Sequence, residues 1–156
     1  LLLDVEWSTI GFFAGLFVVV GGLAETGVIE MLANALIDAT GGDLFLTIMI
    51  MVWASAIISS FLDNIPLVAT LIPIVQTMEA AGLDVMPYWW AISLGACIGG
   101  IGTLIGASAN VVLSGMSKTY GYPITFMEYT KVAFPMMLVF TAISCVYLVL
   151  RFCVFV

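Results

Sequence analysis

The chain has 156 residues, of which 63% are hydrophobic and 8% are charged, whereas a soluble domain carries about 25% charged residues. This composition predicts an integral membrane protein whose first partner is the lipid bilayer. The net charge of −7 argues against nucleic acid as a partner. Because histidine is absent, histidine-dependent nucleophilic catalysis and imidazole metal sites are excluded, and we expect no enzyme activity.

The N-terminal part of the chain predicts one transmembrane helix followed by a shorter helix. Residues 7–24 carry no charge and are long enough to cross a bilayer. Residues 28–40 place apolar residues at helical spacing with Glu30, Asn34 and Asp38 between them, and they are too few to cross. We therefore expect an interfacial helix there, ended by Gly41 and Gly42.

Residues 44–80 contain two apolar arms around a break near Asp63. Each arm is short for a transmembrane helix, so the pattern favours a re-entrant helical hairpin. Pro66 suits the first turn of the second arm. An ionisable side chain such as Asp63 is energetically unfavourable inside a membrane unless it faces protein, water or an ion. Asp63 is therefore a candidate functional residue. Its alternative role is an N-cap of the second arm, worth about 1 kcal/mol.

Residues 85–117 are uncharged, and as a single helix they would be about 50 Å long, against a hydrocarbon core of about 30 Å. We expect this helix to break in its glycine-rich middle, where polar side chains also lie. The same glycines and polar residues also suit close helix packing without any ion path. The glycines are Gly95, Gly99, Gly100, Gly102 and Gly106, and the polar residues are Thr103, Ser108 and Asn110.

The last predicted span is residues 132–150, with Pro135 near its start. The preceding loop, residues 118–131, carries the two lysines Lys118 and Lys131, which by the positive-inside rule predicts a cytoplasmic location. Arg151 would then lie on the far side. We expect one all-α membrane domain over residues 1–156, in the plasma (inner) membrane of a prokaryote.

Two helix breaks at similar depth are expected to meet, since unwound backbone in a membrane is tolerated only where it is buried or lines a cavity. The carbonyl end of the arm finishing near Ser60 suits a cation. The helix N-terminus beginning near Ile65 suits an anion. The sequence therefore predicts a polar site where the breaks meet.

Residues 62–70 and 95–112 resemble the two signature stretches of the ion transporter superfamily. The relevant branch contains sodium/proton antiporters, arsenite permeases and the melanosomal P protein. Residues 6–9 and 126–137 are similar to that branch as well. The resemblance implies a transporter of two inverted repeats, of which this chain is similar to the C-terminal one. Its partner would be the missing N-terminal repeat or a second copy of the chain, within a homodimer of the full transporter.

The resemblance also implies which residues form this half of the ion and substrate site. A sodium ion is the one bound group it suggests, with Asp63, Asn64 and Asn110 as candidate ligands, and no other cofactor is expected. Ile101 stands where many members of the branch carry asparagine, which removes a polar ligand. The implied site residues are Ser60, Asp63, Asn64 and Thr70 in the hairpin, and Gly102, Thr103, Gly106, Ser108 and Asn110 in the broken helix.

The negative charge of Asp63 favours some substrates over others. Relatives that carry dicarboxylates have a serine-asparagine-threonine tip, whereas Asp63 adds a negative charge where an anion would sit. Because burial disfavours the charged form of a carboxylate, a proton and a sodium ion can compete for Asp63. This favours cation/proton antiport of a small inorganic ion.

Three other functions are alternatives to antiport. Arsenite or antimonite efflux is the close alternative, since a neutral solute needs only hydrogen-bonding oxygens. A non-transporting assembly subunit, or a fragment, is the alternative of another class. An intramembrane aspartyl protease is disfavoured, because it needs two carboxylates and no second acid lies in a predicted span.

Overall fold

A computed structural model describes residues 7–154 of the chain, so that Glu6 of the motif at residues 6–9 lies outside the described residues. Within 7–154 the fold is entirely helical and contains no β-strand. The helices are α1 (Trp7–Glu25), α2 (Val28–Thr40), α3 (Leu44–Ser59), α4 (Asn64–Ala80), α5 (Met86–Gly99), α6 (Ser108–Thr119) and α7 (Phe126–Val149), which continues as a π-helical turn, Leu150–Val154.

One helix in the described range, Phe126–Val154, has the length and composition to cross a bilayer, with 29 residues that include an 18-residue stretch of mean hydropathy 2.2. A second crossing results if Ala14–Glu25 and Val28–Thr40 are taken together, and these two segments meet at 65°. The bend is at Gly27, whose φ of 75° lies in the left-handed region that favours glycine. The predicted interfacial helix is therefore α2, bent sharply away from α1.

Two interruptions separate the four helices of the middle of the chain. We call residues 60–63, between α3 and α4, the hairpin tip, and residues 100–107, between α5 and α6, the unwound segment. Asp43 caps α3, with its Oδ1 accepting the Leu46 N–H at 2.8 Å. Asp63 caps α4 in the same way. Of the glycines that crowd the predicted broken helix, Gly100, Gly102 and Gly106 lie in the unwound segment, whereas Gly95 and Gly99 lie in α5.

Helix α5 holds the two arms of the hairpin. Helix α3 packs most extensively on α5, and α4 packs on α2 and α5, while α3 and α4 share only a small contact. Gly99 permits the close approach, because a Cβ atom there would lie 2.8 Å from Ala56 Cα and from Ser59 Cβ. The Ser59 hydroxyl donates across the interface to the Ala96 carbonyl at 2.7 Å. The hairpin is therefore stabilised from outside, by the helix that follows it.

The hydrophobic core lies between α2, α3, α4, α5 and α7. Its buried side chains come from all five helices, together with Val85 just before α5. Helix α6 is different, since it contains no buried residue. The core cluster is Ala33, Ile48, Met51, Val52, Val75, Met78, Val85, Tyr88, Ala91, Ile92, Cys145 and Leu148.

The last helix is longer than the span predicted at residues 132–150. It begins at Phe126 because Thr125 and Glu128 form a capping box. Glu128 Oε2 accepts the Thr125 N–H at 3.0 Å, and Thr125 Oγ1 accepts the Glu128 N–H at 3.3 Å. Lys118 lies in α6 and Lys131 in α7, so the connection between these helices is only residues 120–125.

Candidate functional site

The carboxylate of Asp63 joins the N-termini of two helices. Its Oδ1 accepts the N–H of Ile65, in the first turn of α4, at 3.2 Å. Its Oδ2 accepts the N–H of Ser108, the first residue of α6, also at 3.2 Å. Asp63 is half-buried. One side chain of the hairpin tip therefore caps its own helix and also the helix that follows the unwound segment.

The unwound segment packs closely against the backbone of the hairpin tip. The Thr103 hydroxyl donates to the backbone carbonyl of Ser60, and both residues are completely buried. Glycine is required beside this contact, because a Cβ on Gly106 would lie 2.9 Å from the Ser60 carbonyl oxygen. A Cβ on Gly102 would lie 3.0 Å from Ser60 Cβ. These contacts fix the unwound segment to the end of α3.

Asn110 braces the unwound segment from the first turn of α6. Its side-chain Nδ2 donates to the Gly100 carbonyl at 2.9 Å and to the Thr103 carbonyl at 3.2 Å. A buried backbone carbonyl that accepts no hydrogen bond destabilises the folded state. The amide of Asn110 therefore satisfies backbone groups that the break leaves without a helical bond.

Three of the predicted site residues do not direct a side-chain hydrogen bond to the junction. Ser60 offers its carbonyl to the site, because its hydroxyl donates to the Ile57 carbonyl at 2.6 Å. The Thr70 hydroxyl donates to the Leu67 carbonyl of its own helix at 2.7 Å. Asn64 lines a groove of about 720 Å³ between α1, α4 and α5. Hydrogen bonds thus connect Asp63, Ser60, Thr103, Ser108 and Asn110 to the junction of the breaks, but not Asn64 or Thr70.

The three proposed sodium ligands likewise do not all lie at the junction. Asp63 receives two amides, Asn110 braces the unwound segment, and Asn64 faces the groove. Within residues 7–154 no three His, Cys, Asp or Glu side chains form a group that could hold a metal ion. A cation at this junction would depend on the free lone pairs of Asp63, the Asn110 side-chain oxygen and backbone carbonyls.

The backbone offsets part of the negative charge at the junction. Each helix N-terminus carries a partial charge of about +0.5, and α4 and α6 both direct theirs to Asp63. None of the three basic residues of the chain forms an ion pair with Asp63 in the described structure. The carboxylate is therefore stabilised by two helix ends, without a cationic side chain.

Exposed apolar side chains lie close in sequence to the residues of the polar junction. Ile65 is 52% exposed and Ile105 is 51% exposed, and Ile101, at the position where the resemblance implies asparagine, is also exposed. Phe61 and Leu62 of the tip are exposed as well. Both the hairpin tip and the unwound segment therefore carry apolar side chains that the described residues do not cover.

Interrupted helices that meet at a polar junction inside a membrane are the binding-site architecture of secondary transporters. The fold and the candidate site resemble this architecture. The chain belongs to the citrate transporter family, CitMHS, whose profile matches residues 1–95. This membership confirms the predicted place in the ion transporter superfamily.

The chain is similar over nearly its whole length to three proteins of known sequence. It is 45% identical over 161 residues to an uncharacterised transporter of Mycobacterium tuberculosis, covering 99% of this chain and 37% of that protein. It is 43% identical over 156 residues to a 46 kDa membrane protein of Mycobacterium leprae, with 98% and 36% covered. The P protein of Homo sapiens is 43% identical over 152 residues, with 92% and 18% covered.

The chain therefore spans little more than a third of the mycobacterial relatives and less than a fifth of the P protein. No solved structure matches the chain significantly. The family and the relatives establish a membrane protein of transporter type, in agreement with the expectation from composition.

Apart from the Asp63 cap of α4, the contacts of the site were not predicted from the sequence, and two long-range ones show why. The bond from the Ser108 amide to Asp63 joins residues 45 positions apart, and the bond from Ser59 to Ala96 joins residues 37 positions apart. The signal for the second was present, since Ser59 and Gly99 are small residues of the kind that lets membrane helices approach. The first uses a backbone amide, which every non-proline residue has, so no residue type marked it.

Proposed function

We propose that the chain forms the ion-binding half of a secondary active transporter that exchanges a small cation, sodium, for protons. The observation that carries this proposal is the half-buried carboxylate of Asp63 at the junction of the two helix breaks. Each of its oxygens accepts one amide and keeps a further lone pair. The carbonyl ends of α3 and α5 lie beside the junction and favour positive charge.

Exchange follows from the two ways in which such a carboxylate can be neutralised. A charged carboxylate in a membrane is costly, and either a bound cation or a bound proton removes the cost. If the two exclude each other at Asp63, each crossing carries one or the other. This is the minimal requirement for antiport.

We propose further that a second repeat, supplied by the rest of a longer transporter, completes the site. The exposed apolar side chains next to Asp63 in sequence and the absence of buried residues in α6 support this. In this arrangement the transporter lies in the inner membrane of a prokaryote with residues 120–125 in the cytoplasm. Sizing by blue-native electrophoresis tests the alternative, in which two copies of the chain associate. A chain that neither associates nor binds an ion would instead be a non-transporting subunit.

The test of the cation site is the melting temperature of the purified chain in detergent, in sodium or potassium chloride at several pH values. A ligand at 100 times its Kd stabilises the folded state by about 2.7 kcal/mol. We expect a sodium-specific rise that fades at low pH and is lost in Asp63→Asn. Asp43→Asn is the matched control, since Asp43 also caps a helix but lies at a single N-terminus. A sodium shift that survives in Asp63→Asn would overturn the proposal.

Efflux of arsenite or antimonite is the second candidate. The two amides that offset the charge of Asp63 favour it, because a neutral trihydroxide needs hydrogen-bonding oxygens but no net charge. The full-length transporter would be expressed in a cell lacking its own metalloid efflux. Protection that requires Asp63 supports this candidate, and normal sensitivity to arsenite argues against it.

A further inference from the structure

Two cavities lie along α4 and share one lining residue, Pro73. The inner one is the groove of about 720 Å³ between α1, α4 and α5, which follows α4 from Asn64 to Pro73. The outer cavity, of about 460 Å³, lies between the second half of α4 and the neighbouring ends of α1 and α2, with Glu30 and Gln76 in its wall. The two cavities therefore adjoin at Pro73 and together follow nearly the whole length of α4.

The inner end of the groove lies at the hairpin tip. Asn64, which directly follows Asp63, lines this end. Cys97 lines it from α5, close to the point where Gly99 packs on the end of α3. At the helical rise of about 1.5 Å per residue, the groove extends about 14 Å along α4 from Asn64 to Pro73. It therefore connects the surroundings of Asp63 with the outer cavity.

The groove contains polar groups that are not satisfied within residues 7–154. The side chains of Asn64 and Ser93 line it and make no hydrogen bond to these residues. Pro73 has no N–H, which leaves the Ala69 carbonyl without its helical bond, and both residues line the groove. Inside a membrane, backbone groups of this kind are tolerated where they are buried in protein or line a water-filled cavity. Bound water needs several polar partners, and the groove supplies them.

We propose that the groove and the outer cavity form a hydrated path along which a cation reaches Asp63. The mouth of the path is at Glu30, whose exposed carboxylate at the start of α2 attracts cations. The side-chain oxygens of Gln76, Ser93 and Asn64 follow between the mouth and the hairpin tip, and they can replace water around the ion. The inference rests on the proposed function for the place where the cation binds, and it goes further by naming the route.

The groove also suits another occupant, an acyl chain of the surrounding lipid, because most of its lining side chains are apolar. Cys97 distinguishes the two occupants, since its thiol is exposed and lines the groove. A charged thiol reagent reaches Cys97 through water but is excluded from a groove filled by an acyl chain. Of the other cysteines, Cys145 is buried, and Cys153 is exposed but lies in the π-helical turn after α7.

The experiment follows the modification of Cys97 by mass spectrometry, in the purified chain carrying Cys153→Ser in lipid nanodiscs. The reagents are a cationic and an anionic methanethiosulfonate, with neutral N-ethylmaleimide as a probe that also enters lipid. The reference is Val139→Cys in a chain with Cys97→Ser, because Val139 is 58% exposed in the middle of α7. We expect the cationic reagent to modify Cys97 about tenfold or more faster than the reference cysteine.

A second comparison tests the mouth of the path. Glu30→Gln should lower the rate of the cationic reagent at Cys97 several-fold without lowering the rate of the anionic one. Asp38→Asn is the matched control, since it removes the same charge from α2 but does not line the outer cavity. Circular dichroism checks that each variant keeps its helices.

Reaction of Cys97 with the maleimide but with neither charged reagent would indicate an acyl chain in the groove and would overturn the inference. A thiol that no reagent reaches overturns it as well, and so does a rate equal to that of Val139→Cys. Equal effects of Glu30→Gln and Asp38→Asn would contradict a mouth at Glu30. All rates are measured without sodium, so they do not depend on the outcome of the sodium melting assay, and failure of the path is distinguishable from failure of the proposed function.

Discussion

The contact of Gly99 with α3 provides a quantitative test of the fold. In Gly99→Ala the new Cβ would lie 2.8 Å from Ala56 Cα, whereas ordinary contact begins at 3.4 Å. The helices must therefore separate by more than about 0.6 Å, because the Ala56 carbonyl oxygen lies closer still and a backbone atom cannot rotate away. Overpacking of this kind costs about 1–3 kcal/mol, and stretching the bond from Ser59 to Ala96 adds about 1 kcal/mol. We expect a total loss of about 2–4 kcal/mol.

The assay is denaturant or thermal unfolding of the chain in detergent, followed by circular dichroism. Gly115→Ala is the matched control, because Gly115 lies in α6 with nothing within 4 Å of its Cβ position. Alanine there should stabilise the helix by up to about 1 kcal/mol. If Gly99→Ala and Gly115→Ala change the stability alike, then α3 and α5 are not in the close contact described above.

Two further predictions concern the polar groups that support the site. Asn110→Ala leaves the Gly100 and Thr103 carbonyls without their side-chain donor, and we expect about 1–3 kcal/mol of destabilisation and faster hydrogen exchange in residues 100–107. Unchanged exchange there would contradict the bracing role. Thr125→Ala removes the cap of α7 and should cost about 1 kcal/mol, with faster exchange confined to the first turn of that helix. Faster exchange spread evenly along α7 would argue against a local cap.

The breaks were predictable because they follow from local chemistry. Pro66 and the polar tip mark the start of α4, and glycines mark the end of α5, so the sequence predicted interruptions where α3 and α5 end. The capping role of Asp63 on α4 was predictable for the same reason, since a carboxylate before an apolar run is a standard N-cap. The early start of α7 followed from the capping box at Thr125, which hydropathy alone does not reveal.

The partners of the site residues were less predictable, because they depend on tertiary packing. The sequence predicted that Thr103 and Asn110 would lie at the site, but not that Thr103 would bind the Ser60 carbonyl or that Asn110 would support its own unwound segment. Thr70 was included by resemblance alone, and its hydroxyl bonds within α4. The hydrogen-bond partner of each side chain depends on atoms that come together only after the helices have packed.

The dependence of the hairpin on α5 has a consequence for how the protein is made. The contacts that hold α3, from Gly99 and from the bond between Ser59 and Ala96, come from residues synthesised after both hairpin arms are complete. The two arms share little surface of their own. During membrane insertion the hairpin therefore lacks these stabilising contacts until α5 has been synthesised. A chain truncated before α5 should be degraded in the cell, whereas one truncated after the unwound segment should keep the hairpin folded.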